Sequence, residues 1–274
     1  MQERHKDHKA YFDELAQTTR EFIIGYVGKS VALTPQTRVL EVGCGEGGIL
    51  LPFAELGCQV TGVDLSERKI ANARSYFDEN HQVGTFYRSD FFALPLPEKE
   101  EEKYSLVIVH DVFEHIEQPY KQPFLERLKL FMRNDGIAFI GFPGWQMPFA
   151  GHQQVCSSYL SKIPFLHLLP LSLYQKILTK KETEGRVKDL LSIRRSKVTI
   201  ESFERLVKAT GFQVKDKKMW FINPHYKTKF HMVPVRVIWP FSKVPYFRNY
   251  YTTAAWYSLM KATEADQPSF KSSK

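Results

Sequence analysis

The chain has 274 residues, 43% of them apolar, enough for one full core with an elaboration. Three cysteines with no CxxC spacing exclude a disulfide framework and a zinc-ribbon type of site. The net charge of +8 is unevenly split: residues 1–144 carry 16 Lys and Arg against 22 Asp and Glu, a net of −6, and residues 145–274 carry 22 against 8, a net of +14.

In chain order, Met1 to Ala10 is charged and lacks the apolar stretch of a secretory leader, and no run approaches the ~18 apolar residues of a membrane span. The default expectation is therefore a cytoplasmic protein. Over 9–30, Tyr11, Phe12, Leu15, Phe22, Ile23 and Tyr26 recur at helical spacing, predicting an amphipathic helix within a 1–32 segment that either caps the site or packs on the sheet. A core over 33–144 follows, with strands near 38–42, 59–64, 84–89, 105–110 and 136–142 and helices near 47–56, 66–79 and 120–133. This alternation predicts an α/β domain with a mostly parallel sheet.

The most informative stretch is Arg38 to Gly48. A short strand runs into a glycine-rich turn, and a second strand about 20 residues later ends in Asp64. Strand, glycine turn, helix, strand and acid is the device by which such sheets hold the adenosine half of a cofactor. Glycines let the backbone approach the ligand, and Asp64 stands where it can accept from both ribose hydroxyls. Gly43, Gly45 and Gly48 satisfy GxGxxG formally, but Glu41 discriminates. A buried carboxylate beside a pyrophosphate is repelled, whereas beside an ammonium and a sulfonium it is attracted. This favours S-adenosylmethionine over NAD.

Five segments then fall in order: VLEVGCGEGG (39–48), VTGVDLS (60–66), YRSDFFALP (87–95), YSLVIVHDVFEHIEQP (104–119) and LKLFMRNDGIAFIGFP (128–143). Together they resemble the class I S-adenosylmethionine-dependent methyltransferases over about half the chain. The resemblance implies a Rossmann-like sheet of seven strands in the order 3-2-1-4-5-7-6, strand seven antiparallel. It also implies a cofactor site of Glu41, Gly43, Cys44, Gly45, Asp64, Leu65, Asp90, Phe91 and His110, with Leu65, Asp90 and Phe91 toward adenine. S-adenosylhomocysteine would be the product.

An insert over 145–197, after strand five, reads as two helices rich in Leu, aromatics, Lys and Arg, and is expected to overhang the active edge as an acceptor lid. Thr199 to Gly211 reads as a helix, Phe212 to Ile222 as strand six and Tyr251 to Met260 as strand seven, with 224–250 an inserted loop in the 198–274 segment. The basic half suggests an anionic acceptor or a membrane surface, or else a plain solvated face; the insert suggests an amphiphilic acceptor, a helix lying on a membrane, or a homodimer interface.

For methyl transfer to oxygen a base removes the acceptor proton. His152, after strand five, is the first candidate, with Asp111 and His115 after strand four; His5, His8 and His81 read as surface residues. Asp111 to His115 is similar to the E-x-x-E-H segment of ubiquinone-type O-methyltransferases, where such residues are implicated in binding a divalent metal. The same Glu-His pair also occurs without metal, and no metal site is assigned. The [DNS]-P-P-[YFW] tetrapeptide of nucleobase amino methylation is replaced by HDVF, and no Pro-Cys dipeptide occurs. These absences argue against nucleic acid and for a small-molecule, lipid-like or glycan acceptor. The alternatives are a non-catalytic protein that keeps the fold and binds through its basic half, and an NAD-dependent oxidoreductase.

Overall fold

The computed structural model describes residues 7–262; His5, most of the charged first stretch and residues 263–274 lie outside them. Among the described residues eight strands form one sheet: β1 (Arg38–Val42), β2 (Gln59–Asp64), β3 (Thr85–Arg88), β4 (Tyr104–His110), β5 (Met132–Phe142), β6 (Phe212–Ile222), β7 (Val235–Arg236) and β8 (Ala254–Lys261). Their order is β3-β2-β1-β4-β5-β8-β6-β7. The first five are parallel, and β8 is antiparallel to both β5 and β6.

The two-residue β7 extends the expected seven-strand sheet, pairing with Trp220 and Ile222 on the outer edge of β6. Residues 224–250 are accordingly more than a loop: besides β7 they hold α9 (His225–Phe230) and most of α10 (Arg248–Tyr251). The sequence did not suggest them because neither helix is long enough to show a period.

Side-chain alternation assigns the two faces of the sheet. On β4, Leu106 and Ile108 join a cluster with α1 (His8–Thr18), α2 (Ile24–Val27), α3 (Leu51–Glu55) and α4 (Glu67–Glu79). Val107 and Val109 join the opposite cluster with α5 (Gln118–Phe131) and α8 (Ile200–Ala209). α1 and α2 run on through a π-helical stretch, Thr19–Ile23, realising the expected N-terminal helix. The helix after the glycine turn begins at Leu51 rather than 47, because Gly47 is held at φ +83° by the turn and Pro52 suits the first turn of a helix. Strand five begins at Met132 rather than 136. Asn134-Asp135-Gly136 is absorbed as an irregularity, with Tyr104 opposite Met132 and Leu106 opposite Ile137.

The 145–197 insert contains the two expected helices, α6 (Leu171–Thr179) and α7 (Glu184–Ser196). They pack around a small core of their own, including Cys156, Leu160, Tyr174, Leu178 and Leu190. The insert is tied to the loop after β4 by Ser196 Oγ, which donates to the His115 carbonyl at 3.2 Å.

Candidate active site

The site gathers at the carboxyl ends of β1, β2, β4 and β5. Gly43 and Gly45 turn the chain at φ +75° and +55°, the left-handed region that costs other residues strain. Gly43 has a second reason to lack a side chain: a Cβ there would lie 2.4 Å from Cγ2 of Val112. At Gly48 a Cβ would lie 2.5 Å from the Phe12 carbonyl oxygen, so the turn and α1 sit in close contact.

Asp64 links the two motifs physically. Its Oδ2 accepts from the Gly45 N–H at 3.0 Å and its Oδ1 from the Ser66 N–H at 2.8 Å. A carboxylate has about four lone-pair sites, so each oxygen retains capacity for a ligand. Ser66, not Asp64, caps α4. Glu41 is buried, its Oε2 has no partner among the described residues, and burial followed by repulsion from Asp64 holds its carboxyl well above the usual range. Such an atom calls for a cationic or donating ligand. Cys44 is buried in the turn, its thiol pushed up by burial and then by Glu41, which makes it a packing residue rather than a nucleophile.

Leu65 is exposed, as is Asp90, whose Oδ1 accepts from the Phe92 N–H at 2.9 Å. Phe91 departs from expectation. Its ring is buried against Phe124 and Phe131, at centroid distances of 5.0 and 5.1 Å, because the side chain completes the core under α5. The solvent-facing ring beside Asp90 is Phe92. His110 is buried between Phe139 and Trp256, in space that Gly141 leaves open, and its Nδ1 lies 3.4 Å from Asp111.

The loop after β4 brings the candidate bases together. Asp111 is exposed at φ +53° with its N–H donating to the Gly141 carbonyl at 2.9 Å. The rings of His115 and His152, far apart in sequence, meet edge to face at 4.8 Å. Donor atoms of Glu114, His115 and His152 all lie within 4.8 Å of one another. Desolvation lowers the His115 pKa, partly offset by Asp111, although the residue still reaches solvent. Glu114 is buried with no partner for Oε2 among the described residues, and burial, then Asp111, raises its carboxyl far above the ordinary range. Beneath it lies Lys121, fully buried, donating to the Phe113 carbonyl, its pKa brought down to about 7 by burial against the opposing pull of Glu114.

Sequence reasoning did not anticipate Lys121, or that α9 joins α1 in a second wall. There Thr18 Oγ1 lies 3.2 Å from His225 Nδ1, and the Tyr11 and His225 rings meet at 6.0 Å. Burial and then the charge of Asp111 raise the pKa of both Tyr11 and Tyr226, which puts both phenols in the electrostatic reach of the cluster. His8, expected to be a plain surface residue, sits 3.0 Å from the buried Glu46 beside the glycine turn.

Residues 39–136 match the family model of a methyltransferase domain. The chain is 32% identical over 112 residues to a ubiquinone biosynthesis O-methyltransferase of Rhodopseudomonas palustris, covering 41% of this chain and 42% of the relative. It is 32% identical over 120 residues to the protein of that name in Rickettsia canadensis, covering 44% and 48%. The chain thus spans less than half the length of these relatives. Among solved structures, it resembles magnesium protoporphyrin IX methyltransferase from Synechocystis with bound S-adenosylhomocysteine (TM-score 0.55, 16% identity, 91% of this chain and 84% of that one). It also resembles an S-adenosylmethionine-dependent methyltransferase from Clostridium acetobutylicum (TM-score 0.57, 11% identity, 90% and 92%). At such identities the likeness is one of fold. In its ordered motifs, its matched domain over residues 39–136 and its sheet order, the chain is similar to the class I S-adenosylmethionine-dependent methyltransferases.

Proposed function

We propose that this protein transfers a methyl group from S-adenosylmethionine to an oxygen of a small, amphiphilic acceptor of the small-molecule, lipid-like or glycan class. The observation that carries this is the meeting, at one sheet edge, of the Asp64-tethered glycine turn with the Asp111, His115 and His152 cluster. The turn fits the cofactor: Glu41 offers a buried, unpartnered carboxyl oxygen to a cation, and Asp64 retains acceptor capacity for ribose hydroxyls. S-adenosylmethionine, when bound, supplies an electrophilic methyl for in-line displacement. The protein's part is to orient the acceptor and take its proton. His115, its pKa lowered, is neutral at pH 7 and able to accept one, and His152 is in ring contact with it. The similarity to O-methyltransferase relatives supports oxygen as the methylated atom.

A second reading of the same cluster is favoured by one observation. Glu114, His115 and His152 offer a carboxylate and two imidazoles within 4.8 Å, a donor set that fits a divalent cation, although the sequence assigned none. Such a cation would acidify an acceptor hydroxyl. Calorimetry with S-adenosylhomocysteine and with NAD, followed by transfer of labelled methyl to hydroxylated amphiphiles, tests the main reading. Binding of NAD in preference, or cofactor binding with no methyl ether formed on any acceptor, would argue against it. Loss of turnover on chelation, restored by Mg2+, Mn2+ or Zn2+, would select the metal-assisted form.

A further inference from the structure

We propose that the segment between β6 and β8 is a docking surface for an anionic phospholipid bilayer, holding the open end of the active site against the membrane. This rests on exposure, charge and position, and does not depend on the chemistry of methyl transfer. Of the 25 large hydrophobic residues that stand exposed among the described residues, 11 fall within residues 230–250. Val233 and Trp239 are each 76% exposed and Ile238 64%. A soluble surface rarely concentrates apolar side chains in this way without a partner for them.

The cations are distributed with them. Residues 217–261 contain eight Lys and Arg and no Asp or Glu. Lys217, Lys227 and Arg248 pair with carboxylates elsewhere in the fold. Arg236 and Lys243, both exposed, have no carboxylate partner among the described residues. Aromatic and branched side chains interleaved with Lys and Arg are the composition that seats at an interface of lipid headgroups. A second copy fits less well: a two-fold contact would set a segment with eight cations and no acid of its own against itself.

Position completes the argument. Trp220, near the end of β6, lies opposite Ala254, which begins β8, and Ala255 lies opposite Phe142 at the end of β5. The segment therefore leaves and rejoins the sheet at the edge that carries Asp111 and His152. Its α9 packs on α1 beside Tyr11, and Phe165 of the insert meets Tyr250 at 6.4 Å. A bilayer at this surface would present an amphiphilic acceptor to the cluster.

The test is flotation with vesicles of phosphatidylcholine alone and of phosphatidylcholine with phosphatidylglycerol, at low and high salt. The wild-type chain should float with the anionic vesicles, less so at high salt, and not with the neutral ones. Lys243→Glu with Arg236→Glu should lower partitioning by about fivefold or more per cation, and Ile238→Asp with Trp239→Asp by more than about tenfold. Unfolding monitored by circular dichroism and affinity for S-adenosylhomocysteine should be unchanged in both variants. Loss of homocysteine-nucleoside binding in the wild type would overturn the proposed function and leave flotation to judge the membrane surface. Absence of flotation, or flotation indifferent to these substitutions, would overturn docking. So would a dimer, seen by light scattering without lipid, that Ile238→Asp dissociates.

Discussion

Replacing Asp64 by Ala separates two jobs of one carboxylate. In the free protein the change strands the half-buried Gly45 and Ser66 N–H groups, bonded at 3.0 and 2.8 Å. A hydrogen bond to a charged group contributes about 1.5–3 kcal/mol. Partial access to water discounts the pair to about 2–4 kcal/mol. For a domain of this size the melting temperature should fall by roughly 5–10 °C. The ligand should lose a separate pair of bonds, those proposed from Asp64 to the ribose hydroxyls, again about 2–4 kcal/mol, or roughly 30- to 1,000-fold in affinity. Asp64→Asn keeps one oxygen and should fall between wild type and Ala on both scales. Calorimetry with S-adenosylhomocysteine, run well below the melting point, isolates the second effect. An Ala variant that melts early but binds within about threefold of wild type would refute the reasoning and make Asp64 a tether only.

Glu41 carries a pH signature. Its folded pKa is raised, so the stability it contributes to the free protein is full below the ordinary carboxylate range and is lost as pH rises through the raised value. Glu41→Gln should flatten that part of the melting profile. It should also abolish a rise with pH in affinity for S-adenosylmethionine, whose charge expels the proton. Lys121 titrates in the opposite sense: with a folded pKa of about 7, its burial weighs on the fold below pH 7 and is relieved as it deprotonates toward pH 10. Denaturant titration of Lys121→Met should therefore show its stability, relative to wild type, declining over that range by on the order of 3 kcal/mol. Gly43→Ala should cost about 2–4 kcal/mol, part from the left-handed backbone and part from Val112. A Gly43→Ala, Val112→Ala double variant that recovered none of that loss in chemical denaturation would show that the side-chain clash is not a cause. Substituting His152 by Ala should slow turnover by roughly 10²–10⁴-fold while leaving nucleoside affinity intact, read by single-turnover kinetics.

The sheet was legible because its signals are local. β-branched runs, positive-φ glycines and the acid ending β2 each declare themselves within a few residues, and the order of β1 to β6 and β8 followed from the family resemblance. The placing of the candidate site was legible where motif and strand end coincide, as at Asp64 and Glu41. It was illegible where tertiary structure decides. Nothing in QPYKQPF marks Lys121 as buried, because only the packing of α5 on the Phe113 turn makes it so. Phe91 next to Phe92 gives no sign of which ring turns inward. The partnership of α9 with α1 joins residues more than 200 positions apart, and a six-residue helix carries too little pattern to announce it.

The position of β8 has a consequence for assembly. It is the last strand in sequence among the described residues, yet it lies inside the sheet, bonded along its length to β5 on one side and β6 on the other. During synthesis, β6 has no hydrogen-bonded route to the rest of the sheet until that strand has emerged from the ribosome. Until then the growing chain presents two unsatisfied strand edges, both open to mispairing.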